Sequence, residues 1–186
     1  MSATLEREIK LRFESAEAAR AAVLATGATL VHARRLQEDC LLDTPDEHLR
    51  HRHAALRVRI EAGRSLLTFK GPAHLAAVVK TREELETVVG DGMLLLRILE
   101  ELGLRVWFRY QKYREEFALN EVIVAIDETP VGVFVEIEGG DRGIADMAHA
   151  LGRGPSDYLL DSYRSLFVRD CERRGVATTD MLFDAD

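Results

Sequence analysis

Leu5-Glu6-Arg7-Glu8-Ile9-Lys10-Leu11-Arg12-Phe13 is the stretch on which the reading of the fold turns. In an extended strand its side chains part onto two opposite faces. One face takes Glu6, Glu8, Lys10 and Arg12; the other takes Leu5, Arg7, Ile9, Leu11 and Phe13. The second face is mostly apolar and calls for burial. The first carries two carboxylates roughly 6.5–7 Å apart along the strand, and like charges at that spacing repel unless a cation, a basic side chain or water lies between them. If that face is enclosed, its partners come from elsewhere in the chain.

Around this strand lie 186 residues, 47% hydrophobic and 31% charged, the composition of one ordinary globular domain able to bury a core. The domain is expected over residues 1–175, with 176–186 a frayed tail. A net charge of −7 and a pI near 5.4 argue against a dedicated binder of nucleic acid or of acidic membranes, so an anionic ligand must be held by local charge. No apolar run approaches the ~20 residues of a membrane span, and the N-terminus lacks the pattern of a secretion signal. Cys40 and Cys171 have no metal-motif spacing and read as reduced thiols, which suits a cytoplasmic protein.

Along the chain, Ser15 caps an alanine-rich helix to Ala25, stopped by Gly27. Residues 36–43 read as a short strand, and Thr44-Pro45 as the cap and first position of a helical turn. His48, His51 and His53 follow, but their hydrophilic neighbours make this an exposed connector rather than a zinc site. Strands alternate over 55–61 and 65–70 about a turn at Ala62-Gly63, and another is expected over 80–88. Asp91 caps an amphipathic helix to Leu102. Long strands follow at 105–119, 122–127 and 133–138, and helices at about 142–151 and 161–173 close the chain.

Eight candidate strands therefore repeat one apolar and one charged face. A solvated face usually mixes serine, threonine, glutamine and lysine; here one parity repeatedly gives paired acids or paired bases. That repetition points to an inside-out barrel, its apolar faces covered by helices and its charged faces lining a polar lumen. The lumen would hold Lys10, Arg57, Arg59, Lys70, Arg82, Lys112 and Arg114 against Glu6, Glu8, Glu84, Glu86, Asp127, Glu136 and Glu138, seven of each sign. Grouped carboxylates suit hard divalent cations such as Mg²⁺ or Mn²⁺, and a metal beside many bases suits polyphosphate.

Glu6-Arg-Glu8-Ile-Lys10 resembles the Glu-x-Glu-x-Lys signature of the CYTH superfamily, the triphosphate tunnel metalloenzymes. The resemblance continues in order through Leu56-Arg57-Val-Arg59, Thr68-Phe-Lys70-Gly-Pro, Arg82-Glu-Glu84-Leu-Glu86, Lys112-Tyr-Arg114, Asp127, Phe134-Val-Glu136-Ile-Glu138 and Ser162-Tyr163. It implies an α+β fold around an eight-stranded antiparallel tunnel. It also implies that Arg57, Arg59, Lys70, Arg82, Lys112 and Arg114 grip a triphosphate while Glu6, Glu8, Glu136 and Glu138 hold the catalytic metal. Glu84 and Glu86 would place a second metal or orient the bases, with Asp127 in that acidic set. Lys10, and next Lys70, would position or activate the nucleophile. Tyr163 reads as a packing residue, and Trp107 and Phe108 as core or helix contacts.

The tunnel leaves the nucleophile open. Water on the terminal phosphorus makes a triphosphatase, while a ribose hydroxyl on the α-phosphorus makes a cyclase. The class IV adenylate cyclases of the family carry a His-Phe pair ahead of the first strand, where this chain has Ala3-Thr4-Leu5. The expectation is therefore a metal-dependent hydrolase of inorganic tripolyphosphate or a related organic triphosphate, with class IV adenylate cyclase second and a non-catalytic binding module third. Its partner is a small triphosphate, with neither nucleic acid nor membrane, and the protein is a monomer or homodimer.

Overall fold

The computed structural model describes residues 4–61, 63–76 and 79–184; Ala3 and Ala62, on which two of the expectations fall, lie outside them. The strands are β1 Thr4–Phe13, β2 Thr29–Asp43, β3 Ala55–Glu61, β4 Arg64–Lys70, β5 His74–Ala76, β6 Val79–Val89, β7 Arg105–Leu119, β8 Val122–Thr129 and β9 Gly132–Glu138. Their order β1-β9-β8-β7-β2-β3-β4-β6 closes when β6 pairs with β1, every contact antiparallel. The result is an eight-stranded barrel, with three-residue β5 pairing on β6.

Closure has a simple cause. The apolar parity of β1, β8 and β9 turns outward and is buried by α1 (Ala16–Ala25) and α4 (Asp141–Ala150): Ile9, Leu11, Val23, Phe117, Val124, Val135, Ile137 and Ile144 all have 0% exposure. At ~1.5–3 kcal/mol for each large side chain removed from water, this layer is the main apolar support of the barrel. The helix α3 (Gly92–Glu101) covers Cys40, Leu42 and Val58 through Leu96, whereas α5 (Tyr163–Arg174) packs on Phe108 and Phe134, which share the parity of Lys112 and Glu136. With the faces under α1, α3 and α4 outward, the opposite parity turns inward, where α5 packs against part of it.

Three elements differ from expectation. Strand β2 starts at Thr29, seven residues before Leu36, because the added half is exposed and its register shifts between Leu30 and His32 and again before Arg35. Such a strand has no clean period for a sequence to display. The turn after β2 is capped mainly by Asp43, whose carboxylate accepts from the N–H groups of Thr44, Leu49 and Arg50 at 2.8, 2.9 and 3.0 Å. Helix α2 accordingly begins at His48, and Pro45 lies before it. Nor does the tail simply fray: Met181 is fully buried, its N–H donates to Arg109 O and its carbonyl accepts from Gln111 N–H, each at 2.9 Å. Among the described residues no helix is long and apolar enough to cross a membrane.

The join between α3 and the barrel allows no side chain at Gly92. A Cβ there would stand 2.6 Å from Ser65 Oγ and 3.0 Å from Ile60 Cγ1. Gly92→Ala should cost about 1–3 kcal/mol by overpacking, read as a lower denaturant midpoint. Gly90→Ala, whose Cβ meets nothing within 4 Å, should leave the midpoint nearly unchanged.

A charged tunnel as the candidate active site

The inward parity lines a cavity of about 1290 Å³. Into it project Glu6, Glu8 and Lys10 of β1, Arg57 and Arg59 of β3, Lys70 of β4, Arg82, Glu84 and Glu86 of β6, Lys112 and Arg114 of β7, and Glu136 and Glu138 of β9. The barrel thus brings thirteen of the fourteen expected lumen residues to one cavity. Asp127 is the exception.

Asp127, with 0% exposure, lies behind the wall rather than on it. Its carboxylate accepts from Arg114 Nε and Nη2 at 2.7 and 2.6 Å, from Lys112 Nζ at 3.0 Å and from the Tyr163 hydroxyl at 2.5 Å. Four donors on two oxygens make Asp127 the anchor that orients Lys112 and Arg114, whereas the resemblance implied a place for it in the acidic set. Tyr163 does more than pack against Phe134, because its hydroxyl completes this anchor.

A second anchor escaped the sequence reading. Asp39, also with 0% exposure, accepts from Arg59 at 2.9 and 3.2 Å and has Arg57 Nε at 3.4 Å. It lies on the strand whose apolar and polar residues do not alternate cleanly, so parity alone did not reveal it. Arg57 also donates to Thr68 Oγ1 at 3.1 Å, while its buried Nε has no hydrogen-bond acceptor among the described residues. Arg82 is tied differently, to the carbonyl of Gly71 at 2.6 and 3.1 Å.

On the acidic side, Lys70 Nζ donates to Glu6 at 2.6 and 2.8 Å and pairs with Glu84 at 2.8 Å. Lys10 bridges Glu8 at 3.1 Å and Glu136 at 3.0 Å, and Lys80, absent from the expected lumen set, also donates to Glu8. Arg114 reaches Glu136 at 2.7 Å. Glu86 accepts from Thr68 at 2.8 Å and lies 3.5 Å from Arg57, so Glu84 and Glu86 both stand as partners of basic groups. Trp107 lines the cavity between Arg50 and Arg164, with guanidinium carbons 4.3 and 4.7 Å from its ring centre, while Phe108 is core. His48, His51 and His53 are exposed.

These pairings set the protonation of the wall. Burial acts to lower the Lys10 ammonium, but the carboxylates of Glu136 and Glu8 outweigh it and raise its pKa. Lys70 is raised too, with Glu6 and Glu84 overcoming burial and the repulsion of Arg57. The two lysines expected to activate a nucleophile are therefore held as cations, suited to positioning rather than to accepting a proton. Lys112 differs: burial, then the neighbouring Arg114, pushes it down to about 7. Burial would raise Glu8 and Asp127, but Lys10 beside the first and Arg114 beside the second hold each down at about 2. Glu138 goes the other way: although the residue is exposed at the end of β9, partial loss of water and then the charges of Glu6 and Glu136 push it up to about 7.

The donor set suits a hard divalent cation in kind, since Glu6, Glu8, Glu136 and Glu138 offer only carboxylate oxygens. Glu138 makes no ion pair among the described residues, and its raised pKa marks negative charge that the surrounding bases do not neutralise. Among the described residues, however, no three carboxylate, imidazole or thiol side chains are drawn together as a metal cluster. Lysines hold the carboxylates of Glu6, Glu8 and Glu136 instead.

Comparison with known proteins agrees with this geometry. The family model for the CYTH domain matches residues 4–151. A Methanocaldococcus jannaschii protein named "Putative adenylate cyclase" is 31% identical over 115 residues, an alignment spanning 61% of this chain and 63% of that relative. A Vibrio parahaemolyticus structure of a protein with the same description superposes with a TM-score of 0.78 at 21% identity, covering 90% of this chain and 99% of that one. A Hippeastrum protein described as a "Putative adenylyl cyclase" that reveals a dominant triphosphatase activity superposes with a TM-score of 0.63 at 19% identity, covering 93% of this chain and 97% of that one.

The Glu138 carboxyl offers a test of the charge balance. Its pKa in the folded protein is raised from 4.5 to about 7, so between those values the folded state binds more protons than the unfolded chain. Its stabilising contribution is complete below the unfolded value and is lost as pH rises through about 7. In metal-free buffer, Glu138→Gln should therefore gain stability over the parent at pH 8 relative to pH 4. Denaturant midpoints with the same offset at both pH values would contradict the assignment.

Proposed function

The chain belongs to the CYTH family, and from that premise we propose that it is a divalent-metal-dependent hydrolase of inorganic tripolyphosphate or a related organic or nucleoside triphosphate. The observation that carries this reading is the convergence of Arg57, Arg59, Lys70, Arg82, Lys112 and Arg114 in one cavity, opposite a carboxylate group. Three phosphoryl groups carry enough negative charge to engage that many cations through charge-assisted hydrogen bonds.

The residues divide the work. Arg57 and Arg59, fixed by Asp39, and Arg114, fixed by Asp127, meet phosphoryl oxygens with little reorganisation, which is the condition for strong electrostatic stabilisation. Glu6, Glu8, Glu136 and Glu138 would hold the metal, Mg²⁺ or Mn²⁺. When bound, it neutralises phosphoryl charge as a Lewis acid. Lys10 and Lys70 align the substrate as permanent cations. Lys112, with its pKa near 7, is the lysine able to exchange a proton at Nζ close to neutral pH. The substrate is a small molecule, with no nucleic acid or membrane involved, and the protein acts in the cytoplasm as a monomer or homodimer.

Adenylate cyclisation is the second reading, favoured by the name of the Methanocaldococcus relative. The Hippeastrum description joins the cyclase name to triphosphatase activity, so that name does not decide the reaction. Purified protein incubated with tripolyphosphate, ATP and thiamine triphosphate in Mg²⁺ or Mn²⁺ should release orthophosphate, and Glu8→Gln should lower the rate roughly a hundredfold. Cyclic AMP and pyrophosphate from ATP would make cyclisation the function. Tight binding without turnover in either metal would leave a binding module.

A further inference from the structure

Lys80 is a lumen cation to which the proposed reaction has so far given no task. It stands on β6 in register with Glu8 of β1, and its side chain is only 10% exposed. Its ammonium donates to Glu8 Oε1, the same oxygen that lies 3.1 Å from Lys10. Two ammoniums thus share one carboxylate oxygen. Lys10 has a second carboxylate, Glu136 at 3.0 Å, whereas among the described residues Lys80 pairs with Glu8 alone.

An ammonium on Glu8 competes with a divalent cation for that carboxylate through charge repulsion, and a phosphate oxygen competes with the carboxylate for the ammonium. Of the lysines on the acidic side, Lys80 has the least to keep it in place. On the triphosphatase reading above, we propose that Lys80 is a substrate-binding residue that changes partners. It leaves Glu8 for a phosphate oxygen when a triphosphate binds, and so removes one of the two ammoniums whose charge opposes a divalent cation at Glu8. Each ligand then removes the obstacle to the other, and reciprocity requires that cation and triphosphate enhance one another's affinity by the same factor. Lys70 repeats the arrangement on Glu6, but its second carboxylate, Glu84 at 2.8 Å, holds it more firmly.

Calorimetry with Mn²⁺ and a non-hydrolysable imido analogue of tripolyphosphate separates the terms without turnover. The parent protein should bind Mn²⁺ about tenfold or more tighter with the analogue present than without it, a coupling of about 1.4 kcal/mol. Lys80→Met should bind Mn²⁺ alone about tenfold tighter than the parent and bind the analogue alone more weakly, with the mutual enhancement reduced to about threefold or less. Lys80→Arg, which keeps the buried charge and controls for folding, should retain the enhancement. Parent-like Mn²⁺ affinity and enhancement in folded Lys80→Met would overturn the proposal while leaving the triphosphate reading intact. A parent protein that takes up no analogue with or without Mn²⁺ would overturn both.

Discussion

A charge inside a barrel must be paired, and that constraint governs this molecule. Once the apolar parity of each strand is committed to the helices, the opposite parity carries arginine, lysine, aspartate and glutamate into an enclosed space. Desolvating an ion costs several kcal/mol even after relaxation, and removing one partner of a buried pair costs about 3–5 kcal/mol. The wall is accordingly a continuous set of pairs: Lys70 with Glu6 and Glu84, Lys10 with Glu8 and Glu136, Arg114 with Asp127 and Glu136, Arg59 with Asp39. Where pairing fails or is outweighed, chemistry is exposed. Glu138, without an ion pair among the described residues, is driven towards protonation, while Lys112, although paired with Asp127, is pushed towards neutrality by burial and by Arg114.

The pairs fall into two kinds. Asp39 and Asp127 are wholly buried behind the wall and hold their arginines in nearly fixed positions. These pairs set the shape of an anion site. The lysine pairs are formed at the cavity surface, where an ammonium can trade a carboxylate for a phosphate oxygen. One set therefore supplies rigidity and the other supplies exchange, and a site that must admit a highly charged substrate and then stabilise it needs both.

Much of this was legible from the period of two in the strands. Glu6-x-Glu8-x-Lys10, Arg57-x-Arg59, Lys112-x-Arg114 and Glu136-x-Glu138 each place like functions on one face, and closure of the sheet brings those faces together. What parity could not distinguish was depth. Asp127 has the same parity as wall residues yet is sealed from the cavity, because Arg114, Lys112 and Tyr163 cover its carboxylate. Asp39 was hidden by the irregular strand that carries it, and Lys80 was passed over although it shares the parity of Arg82 and Glu84. Charge sign and spacing were written in the chain; hydrogen-bond saturation and proton affinity depended on side chains arriving from strands far apart in sequence.

The central claim is that the lumen binds a triphosphate together with a divalent metal. It is tested most directly by diffraction from crystals grown with Mn²⁺ and the imido analogue of tripolyphosphate. A manganese anomalous peak bounded by Glu6, Glu8, Glu136 and Glu138 is expected, with phosphate density against Arg57, Arg59 and Arg114. Phosphate density confined to the outer surface, or manganese bound away from those four carboxylates, would contradict it.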